Sequence, residues 1–79
     1  MGWDDLTRTQ RRLLARACRH PVVFSGQEPD EDRLAMLQLY ALGLIRHASS
    51  WRTRGAMEWH GTEAGQAVVR AARARGGLD

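Results

Sequence analysis

Lysine is absent from this chain, and cysteine occurs only once, at Cys18. A single cysteine excludes an internal disulfide and fits the reducing conditions of the cytoplasm, where we expect the protein to act. No run of residues approaches the roughly 18 consecutive apolar residues of a membrane-spanning helix. The first residues include Asp4 and Asp5 and lack the basic and then apolar pattern of a secretory signal. We therefore expect no membrane partner.

Recognisable catalytic motifs are also missing. The sequence contains no Gly-rich phosphate loop, no nucleophile elbow and no catalytic spacing of paired carboxylates. Cys18 and the 3 histidines do not have the spacing of a zinc site. A chain of 79 residues also has little room for a closed active site. We predict a non-enzymatic protein that uses no metal and no cofactor.

Arginine supplies all 12 basic residues, against 9 acidic residues, for a net charge of +3. Four of these arginines follow a helical spacing on the predicted first helix, with no acidic residue between them: Arg8, Arg12, Arg16 and Arg19. They are candidate phosphate-binding residues, because arginine dominates contacts with phosphate groups. A second interpretation stays open, in which they form a solvated helix face and reflect a GC-rich coding sequence.

The first helix and a short strand occupy the beginning of the chain. Thr7 and Gln10 have the spacing of a capping box, so we predict that the helix begins after Thr7. Pro21 ends the helix, because proline cannot continue the backbone hydrogen-bond ladder. The apolar, β-branched residues 22–24 then predict a brief strand.

The second helix is predicted from the segment between Asp30 and Gly43. Asp30 is a suitable N-cap residue, and Gly43 fits the left-handed position that follows a helix. The helix is apolar nearly all round, which indicates burial on more than one side. We place Leu37 at the centre of its inward face, and therefore in the core. The predicted inward stripe consists of Leu34, Leu37, Ala41 and Ile45, and it is extended by Met36, Leu39, Tyr40 and Leu42.

A hairpin is predicted after the second helix. Residues 44–48 form its first strand, and residues 51–55 form part of the hairpin or its tip. Residues 56–60 alternate between apolar and polar side chains, as expected for a strand with one buried face. This alternation places Trp59 in the core.

A third helix closes the predicted fold over residues 63–75, with Thr62 as its N-cap residue. Its predicted inward face consists of Ala64, Ala67, Val68 and Ala71. The whole chain, residues 1–79, is predicted to form one domain of the α+β class. That domain would contain three helices and a two- or three-stranded antiparallel sheet.

The order of these elements resembles a winged-helix domain. The resemblance covers residues 6–69 and depends on the Leu-Gly-Leu-Ile sequence at residues 42–45, the polar hairpin, and Trp-His-Gly-Thr-Glu-Ala-Gly at residues 59–65. The last of these is similar to the aromatic-x-Leu-Thr-x-x-Gly motif that opens the final helix of such domains. The resemblance implies a reduced winged-helix fold, with the hairpin as its wing.

The helix that ends before Gly43 would occupy the position that reads DNA in the winged-helix family. Beyond its acidic first turn it offers only Arg33 and Gln38 as polar side chains. Base readout in the major groove needs several polar side chains on the exposed face of the reading helix. Our leading hypothesis is therefore a module that docks on a protein partner through the hairpin. The candidate partner-binding residues are Arg46, Trp51, Arg52 and Arg54.

Two functional hypotheses follow from the sequence. The first is a small accessory or phage-type inhibitor of a nucleic-acid-processing machine, similar in style to anti-CRISPR proteins. The second is a DNA-binding winged-helix transcriptional regulator that places the arginines of the first helix and the hairpin on phosphates. Salt dependence separates the two hypotheses, because binding of arginines to phosphates weakens steeply with salt.

Overall fold

The computed structural model describes residues 2–49 and 56–76. Within those ranges it has an α+β fold with three α-helices and a three-stranded antiparallel sheet, which confirms the predicted fold class. A 3-10 turn at Trp3–Asp5 precedes the first helix. The helices and strands, in chain order, are α1 Arg8–Arg19, β1 Val22–Val23, α2 Asp30–Ala41, β2 Ile45–Ser49, β3 Met57–Gly61 and α3 Glu63–Ala74.

Helix α1 begins at the predicted capping box. The Gln10 backbone N–H donates to the Thr7 hydroxyl at 3.2 Å, and the Thr7 backbone N–H donates to the Gln10 side chain at 2.9 Å. Leu13 and Leu14 are fully buried on its inward face. The amide of Gln10 is itself buried and donates to the Gln38 side chain at 2.7 Å, which joins α1 to α2.

The sheet has the strand order β1-β3-β2. Val22 of β1 pairs with Trp59 of β3, so the predicted short strand is confirmed and packs on the hairpin strands. Arg46 of β2 pairs with His60 of β3. Trp59 is 8% exposed, which confirms its predicted place in the core.

Helix α2 buries a different face from the one predicted. Leu37 is 57% exposed and Leu34 is 56% exposed, so their assignment to the core is wrong. The buried residues are Ala35, Met36 and Leu39, on the side of the helix next to Leu34 and Leu37. The predicted burial of Met36 and Leu39 is therefore confirmed. An apolar stripe predicts burial only when the other faces are polar, and α2 is apolar on several faces.

Helix α3 begins at Thr62 as predicted, and the Thr62 hydroxyl accepts from the backbone N–H of Gly65 at 3.1 Å. Its buried face is again displaced from the prediction. The buried residues are Gly65, Val69 and Ala72, whereas the predicted Ala64, Ala67 and Ala71 are exposed. A Cβ atom at Gly65 would lie 2.1 Å from the carbonyl oxygen of Leu44. Only glycine at this position allows the helix to pack this closely against Leu44, with Gly65 on its buried face.

Candidate functional site

The hairpin candidates are described only in part. Arg46 lies in β2 with its side chain exposed, directly across from His60. Trp51, Arg52 and Arg54 lie outside the described residues. The site predicted at the hairpin is therefore represented in the structure by Arg46 alone.

The four arginines predicted on the first helix are all exposed on α1. The guanidinium group of Arg12 pairs with Asp32 of α2 at 2.7 Å. Among residues 2–49 and 56–76, the side chains of Arg8, Arg16 and Arg19 have no hydrogen-bond or ion-pair partner. Within the described residues, three of the four candidate phosphate-binding side chains thus have no acidic partner.

A groove of about 570 Å³ runs along this side of α1. We call it the basic groove and define it by Arg8, Arg11, Arg12, Ala15 and Arg19. Arg11, which the sequence did not single out, donates from Nε to the carbonyl oxygen of Trp3 at 3.0 Å. Its guanidinium carbon also lies 5.9 Å from the centre of the Trp3 ring, a cation–π distance that holds the side chain against the protein.

A second depression lies between α2 and the sheet and has a volume of about 280 Å³. We call it the apolar groove and define it by Phe24, Met36, Leu37, Met57 and Trp59. Met36 and Trp59 are buried and belong to the core, whereas Leu37 and Met57 are 57% and 39% exposed. The groove is therefore a point at which the hydrophobic core is open to the surface.

The apolar surface continues from the groove along α2. Leu34 and Tyr40 lie three residues on either side of Leu37, so all three share one face of the helix. Tyr40 is 47% exposed, and its ring packs edge-on against Trp59 with ring centres 6.0 Å apart. Isolated apolar side chains are normal on protein surfaces, but a contiguous set beside a groove is typical of a binding site.

Charged side chains border the apolar groove. Glu28 accepts hydrogen bonds from the backbone N–H groups of Ser25 and Gly26, both at 2.8 Å, and these bonds lower the pKa of Glu28 to about 2. Arg33, on the α2 side of the groove, pairs with Asp30. The groove thus has an apolar floor and fixed charges of both signs at its border, as protein–protein interfaces commonly do.

The geometry of α2 does not suit the reading of DNA bases. Its first turn carries three acidic residues, Asp30, Glu31 and Asp32. The side-chain oxygen of Gln38 accepts from Gln10, and Arg33 pairs with Asp30, so both polar side chains beyond the acidic first turn have intramolecular partners. The remaining exposed face presents leucine and tyrosine.

A third, polar depression of about 200 Å³ lies where α1 ends. Arg19 and Arg46 both line it, so one member of the helical arginine set and one member of the hairpin set come together there. His60 also lines it, and its Nε2 atom lies 3.1 Å from a carboxylate oxygen of Glu58. Burial raises the pKa of the adjacent Cys18 thiol, and the positive charge of Arg73 opposes this rise.

No group of three or more histidine, cysteine, aspartate or glutamate side chains in the described ranges is arranged to hold a metal ion. No helix formed by the described residues combines the length and the apolar character needed to cross a membrane. No protein-family model matches this chain, and it has no significant match among curated proteins or solved structures. The function must therefore be inferred from the surfaces of the protein.

The sequence identified the arginines of α1 but missed the apolar groove. A signal for the groove was present, because α2 has more apolar residues than one buried face can hold. The sequence pattern predicts that these extra apolar residues are buried, whereas the structure leaves Leu34 and Leu37 exposed. The sequence alone could not separate these outcomes, because Met57 approaches Leu37 only through the tertiary fold.

Proposed function

We propose that this protein is a non-enzymatic binding module that docks on a protein partner through the apolar groove and the adjoining face of α2. The observation that carries the proposal is the exposure of Leu34, Leu37 and Tyr40 beside an opening into the core. Removing this apolar surface from water would favour association by roughly 25 cal/mol for each Å² buried. The single cysteine supports a cytoplasmic location for such a module.

The partner that fits this surface presents an apolar side chain, such as leucine or phenylalanine, on an exposed segment. The groove volume of about 280 Å³ is suited to one or two side chains and is small for a cofactor. The candidate hairpin residues Trp51, Arg52 and Arg54 belong to the same proposal, because the chain returns from them to Met57 at the groove. An accessory protein or inhibitor that binds a larger machine would need such a surface.

The acidic first turn and apolar exposed face of α2 favour protein docking over base readout. The proposed winged-helix relationship is compatible with either function, because function depends on the surface residues and not on the fold.

We expect Leu34→Asp with Leu37→Asp to abolish partner binding while the protein stays folded. Both side chains are more than half exposed, so the substitutions remove little core packing, yet they place two carboxylates in the docking face. A charge buried without a partner at an interface costs several kcal/mol. The measurement is capture of the partner from nuclease-treated lysate, with thermal unfolding recorded for each variant.

The matched control is Ala64→Asp with Ala67→Asp, which adds the same charge to the exposed face of α3. A photo-crosslinking residue at position 37 or 67 locates the contact directly. Crosslinks to one protein from position 37, and none from position 67, support the proposal. Equal capture by the groove variant and the control, or loss of capture on nuclease treatment, contradicts it.

The hairpin supplies a separate prediction. We expect Arg52→Glu with Arg54→Glu to abolish partner binding with little change in the melting temperature, since exposed charge changes usually alter stability by less than about 0.5 kcal/mol. Reversed charges would oppose the partner at the docking site. Arg12→Glu with Arg16→Glu on α1 is the comparison. If the α1 variant binds the partner more weakly than the hairpin variant does, the hairpin is not part of the docking surface.

A further inference from the structure

The basic groove is not used by the proposed docking surface, and the two share no residue. Arg8, Arg12, Ala15 and Arg19 are spaced by four, three and four residues, so they form one line along α1. Helix α1 has no acidic residue anywhere along its length. The result is a row of positive charge on a rigid, regular support.

Ala15 gives this row its concave shape. It lies between Arg12 and Arg19, and its methyl group leaves a gap between the long arginine side chains, where the groove forms. Trp3 closes one side, but this residue is only 6% exposed and leaves little ring surface on which a base could stack. The groove therefore presents guanidinium groups around a small apolar floor.

The arginines of the groove differ in their availability. Arg12 pairs with Asp32 at 2.7 Å, and Arg11 lies 3.9 Å from a carboxylate oxygen of Asp4. Arg8 and Arg19 have no such partner in the part of the chain that the structure describes, so an external anion would neutralise them. Arg19 also lines the polar depression that contains Arg46, so the basic surface extends from α1 to the edge of the sheet.

We propose that the basic groove binds the phosphodiester backbone of a nucleic acid without reading its sequence. From Arg8 to Arg19 the helix rises about 16 Å. Each strand of B-DNA carries a phosphate for about every 3.4 Å of the duplex axis, so the row of arginines is long enough to reach several phosphates. The arginine fork matches two phosphate oxygens at once. A polymer with regularly spaced negative charges can contact all the arginines of the row at the same time.

An acidic protein is the competing class of ligand, and the groove suits it less well. Protein interfaces depend on apolar or aromatic anchors that are buried at their centre. The centre of the basic groove is Ala15, and the nearby Trp3 is already buried within the protein. Four of the residues that line the groove are arginines, and arginine side chains are typical of phosphate contacts in nucleic-acid complexes.

The test is fluorescence anisotropy with a labelled random-sequence DNA duplex, measured over a range of salt concentrations. With about four phosphate contacts the logarithmic salt slope is about −3.6, so raising salt from about 50 to 200 mM should weaken binding roughly 100-fold. Arg8→Gln with Arg19→Gln should reduce the magnitude of this slope by about two. At low salt the same variant should bind at least about 10-fold more weakly.

The matched control is Arg70→Gln with Arg73→Gln on α3, which loses the same charge at residues that line neither the basic groove nor the apolar groove. We expect its slope to stay near that of the parent, and we expect both variants to keep the parent melting temperature. Equal slopes for the groove variant and the control would overturn the proposal. So would failure of the parent to bind duplex at low salt.

Competition distinguishes the sources of negative charge. Polyglutamate and inorganic phosphate are added to the preformed duplex complex at equal concentrations of negative groups, with the ionic strength held constant because salt alone releases the duplex. Retention of the duplex against both competitors supports a nucleic-acid backbone as the ligand. Displacement by polyglutamate would assign the groove to an acidic protein, and displacement by inorganic phosphate would assign it to an isolated phosphate group, so either result overturns the proposal.

Discussion

Leu39→Ala is expected to destabilise the protein by roughly 2–5 kcal/mol. Leu39 is fully buried, and it lies on the face of α2 that forms the core with Leu13 and Leu14 of α1. Its replacement removes apolar contacts and leaves a cavity that the neighbouring side chains fill only partly. The total stability of a small domain is on the order of 5 kcal/mol, so this single change is expected to unfold a large share of the molecules.

Leu37→Ala is the matched control, since it makes the same chemical change on the same helix. Leu37 is 57% exposed, and we expect its loss to change the free energy of unfolding by less than about 1 kcal/mol. Urea unfolding followed by circular dichroism measures both variants. If the order were reversed, with Leu37→Ala the more damaging change, the rotation of α2 described here would be wrong and the apolar groove would not be an open surface.

The comparison of α1 with α2 shows which parts of this fold could be predicted from sequence. Helix α1 has one apolar face and one arginine face, so its period identifies the buried side. Its start at Thr7 was predictable because a capping box depends only on residues three positions apart. In α2 the spacing of apolar residues does not identify one buried side, because Leu34 and Leu37 lie on one side and Met36 and Leu39 on another.

Contacts with other parts of the fold determine which side of α2 is buried. Gln38 turns toward α1, where its side chain accepts from Gln10 at 2.7 Å, and this orientation carries Leu39 inward. Leu37 then faces Met57, which belongs to a strand 20 residues away in the sequence. The hydrogen bond of Gln38 with Gln10 and the place of Leu37 beside Met57 at the groove bring together residues that are far apart in the sequence. Local sequence patterns therefore could not predict the apolar groove, although its apolar residues are easily identified in the sequence.

The basic groove was partly predictable for the opposite reason. Arg8, Arg12 and Arg19 belong to one helix, so their common side follows from helical geometry alone. The convergence of Arg19 with Arg46 was not predictable, because it depends on how α1 ends against β2 and β3. A site within one element can thus be inferred from spacing, whereas a site between elements requires the fold.

Gly65→Ala is expected to destabilise the protein by at least about 3 kcal/mol, although alanine is the better helix former. The added Cβ atom would lie 2.1 Å from the carbonyl oxygen of Leu44 and 3.1 Å from a methyl carbon of Leu14. Helix α3 cannot easily move away, since the Thr62 backbone N–H donates to the same Leu44 oxygen at 3.0 Å. The Thr62 hydroxyl also donates to the carbonyl oxygen of Gly43 at 2.7 Å.

The close contact and the helix propensity of alanine predict changes of opposite sign in the free energy of unfolding, so the measured sign shows which effect dominates. At a helical position with free space, replacing glycine by alanine stabilises a protein by about 0.4–1 kcal/mol. Ala64→Gly, at the exposed neighbouring position, is the control for helix propensity and should cost about 1 kcal/mol or less. Chemical denaturation of both variants separates the two contributions. A Gly65→Ala variant more stable than the parent would show that α3 does not approach Leu44 closely, and that its buried face is the predicted alanine face after all.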